Sequence, residues 1–359
     1  MKKFSTLILS VLLITAMCVP AFADTVGSGG KGDSPEVYGQ SVFDNQLTAA
    51  SKTMKIKKTK KLSASIKYPV IKGMEDKKIQ KAVNKALLKE ARSALKDGRK
   101  AASKLKKKST AKAETNVDFR VKYNQNGLLS IVMNEYQFAG GANGTNKDVC
   151  KNFDLSTGKE LKLKDLFTDF DKGKEAINKS VRVGIDAAKT KDLEELNPFK
   201  SISNKQDYYF SPEGLVVVFQ QDCAYFSHAD GVQTFTVPYA NVAAYLKADY
   251  MHLALTKPEL DAAKTTELSE GQLAYIVVDS NPTTGYSWTV KSSDEKIMKV
   301  VKQQYLADPE GKDLAGAGGK ELIVVKAMTK GSVKLQCTYE QNWDGGSKEK
   351  PVEYNIVVK

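Results

Sequence analysis

Asn281–Trp288, "NPTTGYSW", is the most informative segment of the C-terminal third. It lies between two segments rich in alternating apolar residues, "QLAYIVVDS" before it and "YSWTVKSS" after its first aromatic residue. Such segments are typical of β-strands. Pro282 and Gly285 are turn-forming residues, so the stretch predicts a tight strand-to-strand connection. The two β-branched threonines between them, Thr283 and Thr284, stiffen that connection.

Further segments of the same texture continue to residue 359, separated by turn signals and without a convincing helical pattern. They are "KVVKQQYL", "KELIVVKAM", "GSVKLQCTY" and "VEYNIVVK". Six or seven short strands in about 90 residues are typical of two packed sheets. The sequence therefore predicts an all-β immunoglobulin-like sandwich over residues 269–359.

Three connections between these strands stand out, namely "NPTTGY", "DLAGAGGKE" and "YEQNWDGGS". In a sandwich, alternate connections emerge at the same end, so the three are expected to form one edge. Each connection, taken singly, also fits an ordinary turn. Trp343 beside Asp344 and two glycines suits an anchor for a partner protein better than it suits a core position.

In their order and context, these three loops resemble the chagasin-type inhibitors of papain-family cysteine proteases, over roughly residues 265–359. The resemblance implies that the first loop crosses the protease's catalytic cysteine and that the other two flank it. The family's usual Arg-Pro-Trp appears here as Gln341-Asn342-Trp343, which keeps a stacking contact and loses an arginine contact. The predicted protease-binding residues are Asn281, Pro282, Thr283, Thr284, Gly285, Tyr286, Gly316, Ala317, Gly318, Gly319, Asn342 and Trp343.

The region before this domain mixes strand, hairpin and helix patterns. Apolar residues from Ile79 to Leu95 recur at three- and four-residue steps, which predicts an amphipathic helix. "VDFRVKY" and "LLSIVMNEY" flank an Asn-Gly pair that suits a hairpin turn. A second helix is predicted with Ile177, Val181 and Ile185 on one face. The pattern indicates an α+β domain built on antiparallel sheet, over residues 52–256.

Several segments of this region, among them "YQFAGGANG", "NFDLSTGKELKLKDLF" and "YYFSPEGLVVVFQ", resemble the extracytoplasmic domains of the lysozyme-sensing anti-sigma factor. Similar domains precede the catalytic part of a peptidoglycan deacetylase. The resemblance covers roughly residues 55–250 and implies lysozyme as one possible ligand. The sequence begins with a signal-peptide pattern instead of the family's transmembrane anchor, so a signalling role is not implied.

Residues 1–23 have the pattern of a signal peptide. Lys2 and Lys3 precede the apolar run Leu7–Val19, and "AFA" ends at Ala23, where cleavage is expected. A lipoprotein signal using Cys18 is the weaker alternative, because Met17 occupies the position directly before the cysteine, where such signals have a small residue. The protein is therefore expected to be secreted, or retained at the cell wall, and not to span a membrane. Residues 24–51 contain a Gly/Ser-rich stretch and are predicted to be a flexible linker. Residues 257–268 are polar and are predicted to be the linker at the domain junction.

The chain carries a formal net charge of +13, or +11 after the predicted cleavage, concentrated between Lys52 and Lys112. This excess fits either a solvated helix face or attraction to an anionic surface such as a cell-wall polymer, a lipid or an acidic protein. Nucleic acid is not expected as a partner, because no basic groove interleaved with aromatics is visible.

The sequence predicts neither an enzyme nor a cofactor or metal site. It has two histidines, His228 and His252, and none of the P-loop, G-x-S-x-G or HExxH motifs. A catalytic pair of Cys223 and His228 is conceivable but has no supporting motif. Cys150 and Cys223 would form a disulfide only if their strands are neighbours, and Cys337 is expected to be buried as a small apolar residue.

Overall fold

The computed structural model describes residues 36–37, 40–41, 43–45, 47–57, 59–106, 110–309 and 316–359. The predicted signal peptide, residues 1–23, lies outside these described residues. Among the described residues, the chain forms an α+β N-terminal part and an all-β C-terminal part, as predicted. None of the helices in the described ranges combines the length and the hydrophobicity that a membrane span requires.

The first half of the N-terminal part is a five-stranded sheet with one long helix, α1, against it. A separate short hairpin of β1 (Glu36–Val37) and β2 (Gln40–Ser41) comes first. The sheet and its helix consist of β3 (Thr48–Thr53), β4 (Leu62–Lys72), α1 (Lys77–Lys104), β5 (Ala113–Gln125), β6 (Leu128–Phe138) and β7 (Thr145–Asp154). The strand order is β3-β4-β5-β6-β7. All pairs are antiparallel except β4 and β5, which are parallel because α1 is the crossover between them.

Helix α1 covers the residues that the apolar periodicity predicted and extends beyond them. Asp76 caps its first turn by accepting hydrogen bonds from the backbone N–H groups of Lys78 (2.7 Å) and Ile79 (3.1 Å). At its other end, the Lys61 ammonium donates to the carbonyls of Leu105 and Lys106. The buried stripe that packs on the sheet contains Val83, Leu87, Ala91, Ala94, Leu95 and Ala102.

The predicted hairpin between β5 and β6 is confirmed. Asn126 and Gly127 have φ values of 55° and 73°, so both adopt the left-handed conformation that a type I′ turn requires.

The second half of the N-terminal part is a three-stranded antiparallel sheet of order β10-β9-β8, packed with helix α2. Its elements are α2 (Phe170–Lys189), β8 (Asp207–Phe210), β9 (Gly214–Phe219), β10 (Gln233–Pro238), the short α3 (Tyr239–Val242) and 3-10 turns at Leu163–Leu166, Ala243–Tyr245 and Ala248–Leu253. Ile177, Val181 and Ile185 are fully buried on one face of α2, as predicted. This half has its own apolar core, so the predicted single domain 52–256 contains two core clusters.

The described residues of the C-terminal part form seven strands in two sheets. They are β11 (Thr265–Leu268), β12 (Leu273–Ser280), β13 (Tyr286–Ser292), β14 (Met298–Ala307), β15 (Gly319–Ala327), β16 (Gly331–Gln341) and β17 (Val352–Val358). One sheet has the order β11-β17-β16-β13 and the other β12-β15-β14. Alternate residues of both sheets, such as Ile276 and Ile323 from one and Leu335 and Ile356 from the other, form one core. The all-β class is confirmed, and the immunoglobulin-like arrangement stays a prediction.

The predicted linker 257–268 is part of the C-terminal domain. Leu260 is 6% exposed in the core, and its N–H donates to the carbonyl of Tyr275 (2.8 Å). Strand β11 pairs in parallel with β17. The polar composition concealed this strand, because a short edge strand needs only one or two apolar residues to fill its place in the core.

The predicted linker 24–51 also differs from the structure at its C-terminal end. Residues 48–51 belong to β3, and Phe43 is 3% exposed. The Phe43 ring packs on the outer face of β12 and β15, with its centroid 5.9 Å from that of Tyr275. In the same segment, the backbone N–H of Asn45 donates a hydrogen bond to the carbonyl of Asn124 (2.9 Å). The segment therefore ties the two parts of the chain together.

The three cysteines in the described residues are free thiols, so Cys150 and Cys223 are not joined. Cys337 is fully buried in the C-terminal core, as predicted.

Candidate functional site

The strand pairing of the C-terminal domain brings three loops to one end. Loop 1 (residues 281–285) leaves β12 in one sheet and enters β13 in the other, so it bridges the two sheets. Ser280, at the end of β12, pairs with Gly319, where loop 2 (residues 308–318) returns. Tyr286, at the start of β13, pairs with Gln341, where loop 3 (residues 342–351) begins. Loop 1 therefore lies between loop 2 and loop 3. All twelve predicted site residues lie at this edge.

Loop 1 is a single 3-10 turn, Pro282–Thr284, capped by Asn281. The Asn281 side-chain oxygen accepts a hydrogen bond from the Thr283 backbone N–H (3.2 Å). Pro282 occupies the first position of the turn, where its missing N–H leaves no bond unmade and its fixed φ suits the turn.

The two threonines do more than stiffen loop 1. The Thr283 hydroxyl donates to the Asn281 side-chain oxygen (2.6 Å), and the Thr284 hydroxyl donates to the Asn281 carbonyl (2.6 Å). Both side chains therefore help to hold the turn through bonds back to Asn281. The β-branched character of the threonines was evident from the sequence, whereas these hydroxyl bonds were not. A loop held in this way loses little conformational entropy when a partner binds it.

Gly285 ends loop 1 with a φ of 81°, the left-handed conformation that favours glycine. The indole of Trp343, from loop 3, lies directly over it, so that a Cβ at Gly285 would overlap the ring. Trp343 nevertheless remains 55% exposed. The edge therefore presents a large aromatic side chain that rests on loop 1 and faces solvent.

Loop 2 joins loop 1 through the Asn281 side-chain amide, which donates to the carbonyl of Gly316 (2.9 Å). Gly318 lies close to β12, since a Cβ there would come within 3.3 Å of the Ser280 carbonyl oxygen. Ala317, between Gly316 and Gly318, is half-buried. Residues 310–315 of loop 2 lie outside the described part of the chain.

Loop 3 is closed at its base by Gln341. The Gln341 N–H donates to the Ser347 carbonyl (2.9 Å), and the Ser347 N–H donates to the Gln341 side-chain oxygen (3.1 Å). The Gln341 amide also reaches the Thr284 carbonyl of loop 1 (3.4 Å), and the Asn342 amide donates to the Ser287 hydroxyl (2.6 Å). The two residues that replace the family's Arg-Pro thus connect loop 3 to loop 1 and its following strand.

An aromatic group supports the edge from below. Tyr339 stacks on Tyr286 with a centroid separation of 5.0 Å and contacts Trp288 at the same separation. The Tyr339 hydroxyl accepts a hydrogen bond from the Asn281 N–H (2.8 Å). The Trp288 indole N–H donates to the Asp279 carbonyl (2.8 Å) while its ring packs against the core. Tyr339 was missed by sequence reasoning, because only its pairing with β13 brings it under loop 1.

Charged residues flank the edge as pairs. Lys320 bonds Asp279 (2.5 Å), and Lys348 bonds Glu340 (2.8 Å). The hydrogen bond from Lys348, followed by that from Thr289, lowers the pKa of the Glu340 carboxyl below its usual value. Both of these acids are therefore paired with a lysine, whereas Trp343 and residues 282–285 of loop 1 are exposed beside them.

The histidines and cysteines were the other candidates from the sequence. His228 bonds Asp222 (2.7 Å) on the surface, and His252 is buried, which lowers the pKa of its imidazole to about 3. Burial raises the pKa of the Cys150 and Cys337 thiols well above their usual value. Within the described ranges, no group of three or more His, Cys, Asp or Glu could hold a metal ion.

Comparison with known families divides the chain in the same way as the structure. A model described as deacetylase PdaC matches residues 56–146, and a model of a domain of unknown function, DUF3298, matches residues 164–240. A model described as chagasin family peptidase inhibitor I42 matches residues 267–358. The first two cover the two halves of the α+β part, and the third covers the two-sheet domain.

Two solved structures resemble parts of the chain. A member of the DUF3298 family from Bacteroides fragilis is 18% identical, with a TM-score of 0.42, over 58% of this chain and 97% of that one. The structure of PbICP-C in complex with falcipain-2 is 18% identical, with a TM-score of 0.21, over 29% of this chain and 91% of that one.

Two curated relatives match the C-terminal domain. Amoebiasin-1 of Entamoeba histolytica is 30% identical over 95 residues, which are 26% of this chain and 90% of that protein. Chagasin of Trypanosoma cruzi is 34% identical over 87 residues, which are 23% of this chain and 77% of that protein. Through its C-terminal domain, the chain belongs to the chagasin family of peptidase inhibitors.

Proposed function

We propose that this protein inhibits papain-family cysteine proteases by inserting its three-loop edge into the active-site cleft. The observation that carries the proposal is the joining of the three loops around Asn281 and Gly285. Asn281 bonds loop 2 at Gly316, and Gly285 supports Trp343 of loop 3. Membership of the chagasin family supports the same activity.

The mechanism requires binding and no chemistry by the inhibitor. A protease cleaves a chain that lies extended across its nucleophile. Loop 1 instead presents a 3-10 turn in which Pro282 and both threonines are exposed, and the two threonine hydroxyls donate hydrogen bonds to Asn281. Such a turn can fill the cleft without placing a peptide carbonyl in the geometry of attack, and its pre-formed shape lowers the entropy lost on binding.

Loop 3 would supply the main hydrophobic contact. An exposed tryptophan can bury on the order of 150–250 Å² against a partner. Because Gln341 and Asn342 stand where the family has Arg-Pro, this contact depends on stacking and lacks an arginine's charge. Proteases that do not depend on such a charge are the preferred targets under this proposal.

Steady-state titration of papain with the intact protein tests the proposal. We expect competitive inhibition that saturates at one inhibitor per active protease. Unchanged papain activity at about 10 µM inhibitor, which corresponds to binding weaker than roughly −7 kcal/mol, would contradict it.

Secretion belongs to the proposal as well, since residues 1–23 carry the signal-peptide pattern. Mass spectrometry of the protein from the culture medium would test it, with a new N-terminus at Asp24 as the expected result. Recovery of the unprocessed chain from the cytoplasm would contradict it. Binding of lysozyme or of an anionic cell-wall polymer by the N-terminal part stays a prediction, which pull-down with each of the two would test.

A further inference from the structure

An open groove lies between strand β3 and one side of helix α1, in the N-terminal part and far along the chain from the three-loop edge. It encloses about 740 Å³. Its cationic lining consists of Lys52, Lys55, Arg92, Lys96 and Arg99. No acidic residue lines the groove, and none of these five cations forms an ion pair in the described part of the chain. The groove therefore has an unbalanced positive charge.

The cations on α1 do not serve the stability of the helix. Arg92 and Lys96 are four residues apart, and Lys96 and Arg99 are three apart, so each pair brings like charges together on the helix surface. Such pairs destabilise a helix by about 0.2–0.5 kcal/mol each. Lys85 and Lys89 continue the same stripe toward the N-terminus. Because these adjacent like charges destabilise the helix, their presence favours a role in binding an anionic partner.

The floor of the groove is apolar. Tyr68 from β4 is 8% exposed and Leu95 from α1 is 7% exposed, and the half-buried Leu88 lies beside them. A small inorganic anion would leave this floor uncovered. The groove instead suits a ligand that carries anionic groups on either side of an apolar one.

The wall formed by β3 is an open sheet edge. Among the described residues, strand β3 pairs only with β4, and the hydrogen bond from the Met54 N–H to the Ile66 carbonyl (2.8 Å) fixes which residues face outward. By that register, the backbone groups of Ala49, Ser51 and Thr53 point away from β4, and they have no partner among the described residues. An extended peptide can add to such an edge as a further strand.

The pairing register also relates the open edge of β3 to the groove. Lys52 is paired with Tyr68, so both side chains project from the same face of the sheet, the face against which α1 packs. Every second side chain of an added strand would project from that face. The helical segment from Leu88 to Arg99 is about 16 Å long, which matches about five residues of extended chain.

We propose that this groove binds an extended acidic peptide segment of about five residues that adds to the edge of β3. Two carboxylate side chains at its first and fifth positions meet the lysines and arginines. An apolar side chain at its third position covers Tyr68 and Leu95.

The test uses the intact protein and a fluorescein-labelled peptide, Ser-Glu-Thr-Val-Thr-Glu-Ser, in fluorescence anisotropy. Three further probes are the same peptide with lysines for glutamates, the same peptide N-methylated at alternate amides, and sodium polyphosphate. The charge-reversal variant is Arg92→Glu/Lys96→Glu. Its matched control is Lys100→Glu/Lys179→Glu, which changes two exposed helix cations that do not line the groove.

We expect saturable binding of the glutamate peptide, at least about tenfold weaker in the groove variant and within about twofold of the original in the control. The lysine and N-methylated peptides should not bind. Thermal unfolding curves of both variants are measured to check that each is folded.

Four outcomes would overturn the proposal. They are no saturable binding of the glutamate peptide up to about 1 mM, equal weakening in both variants, equal binding of the N-methylated peptide, or binding of polyphosphate alone. The second outcome would indicate general charge attraction, the third would exclude the sheet edge, and the fourth would indicate a polymer site.

Discussion

The indole ring of Trp343 rests on the backbone of Gly285, and no side chain fits between them. Trp343 is therefore held by loop 1 and not by the core of the domain. This contact couples the most exposed aromatic residue of the edge to the turn that Asn281 caps.

Replacement of Trp343 by alanine should weaken inhibition of papain by at least about tenfold, or roughly 1.4 kcal/mol. The side chain is 55% exposed, so the thermal stability should change little. Inhibition constants and unfolding curves measure the two effects. Val301→Ala is the control, because Val301 is 48% exposed on the same domain at the bulge in β14, away from the loops. Equal inhibition by both variants would remove Trp343 from the binding surface.

Replacement of Gly285 by alanine should displace the Trp343 ring and strain the backbone at a φ of 81°. Gly231→Ala is the matched control, since Gly231 has a φ of 67° and open space around it. The strain of roughly 1–2 kcal/mol is common to both variants. We expect inhibition to weaken by about tenfold or more only for Gly285→Ala. The contact would be irrelevant to inhibition if the two variants inhibited equally.

Asn281 has two roles that substitution can separate. Asn281→Asp keeps an oxygen to cap the 3-10 turn but loses the donor to Gly316, whereas Asn281→Ala loses both. Loss of a cap costs about 1 kcal/mol. We expect a graded loss of inhibition, smaller for Asp than for Ala. The same inhibition constant for both would show that loop 1 does not need its cap.

Phe43→Ala should destabilise the protein by about 3 kcal/mol, because it leaves a cavity on the apolar outer face of β12 and β15. Phe43→Leu, which refills most of the space, should cost much less. Chemical denaturation of the two variants provides the comparison. A wild-type unfolding curve for Phe43→Ala would mean that the segment around residue 43 does not hold the two parts together.

Glu135 introduces a pH dependence into stability. Its buried carboxyl has a pKa raised to about 7, chiefly by desolvation, from an ordinary value near 4.5. The folded state therefore holds a proton that the unfolded state releases, so stability should fall as the pH rises from about 4.5 to about 7. Glu135→Gln should remove this slope and stabilise the protein at pH 8 by about 2 kcal/mol. Unfolding temperatures measured from pH 4 to pH 8 would contradict this if both proteins showed the same slope.

The strands around loop 1 could be predicted because the signals are local. Alternation predicted β12 to β17, and Pro282 and Gly285 located the turn between two of them. That the three loops share an edge was also predicted, since alternate connections of two packed sheets emerge together.

The contacts that hold the edge together could not be predicted, because they join residues far apart in sequence. Tyr339 lies 58 positions after Asn281, whose N–H it accepts, and nothing in its own segment marks it. Gln341 was noted only as a departure from the family, whereas the structure shows it closing loop 3. The strand β11 and the packed Phe43 were assigned to linkers because their neighbours are polar.

Under the proposed function, the three-loop edge covers the catalytic cysteine of a papain-type protease. The decisive measurement is the rate at which iodoacetamide alkylates the papain thiol in the presence of increasing amounts of the intact protein. We expect the rate of alkylation to fall in proportion to the fraction of protease bound, and Trp343→Ala to require at least about tenfold higher concentration for the same protection. Alkylation at the unprotected rate while the protein is bound to papain would contradict it.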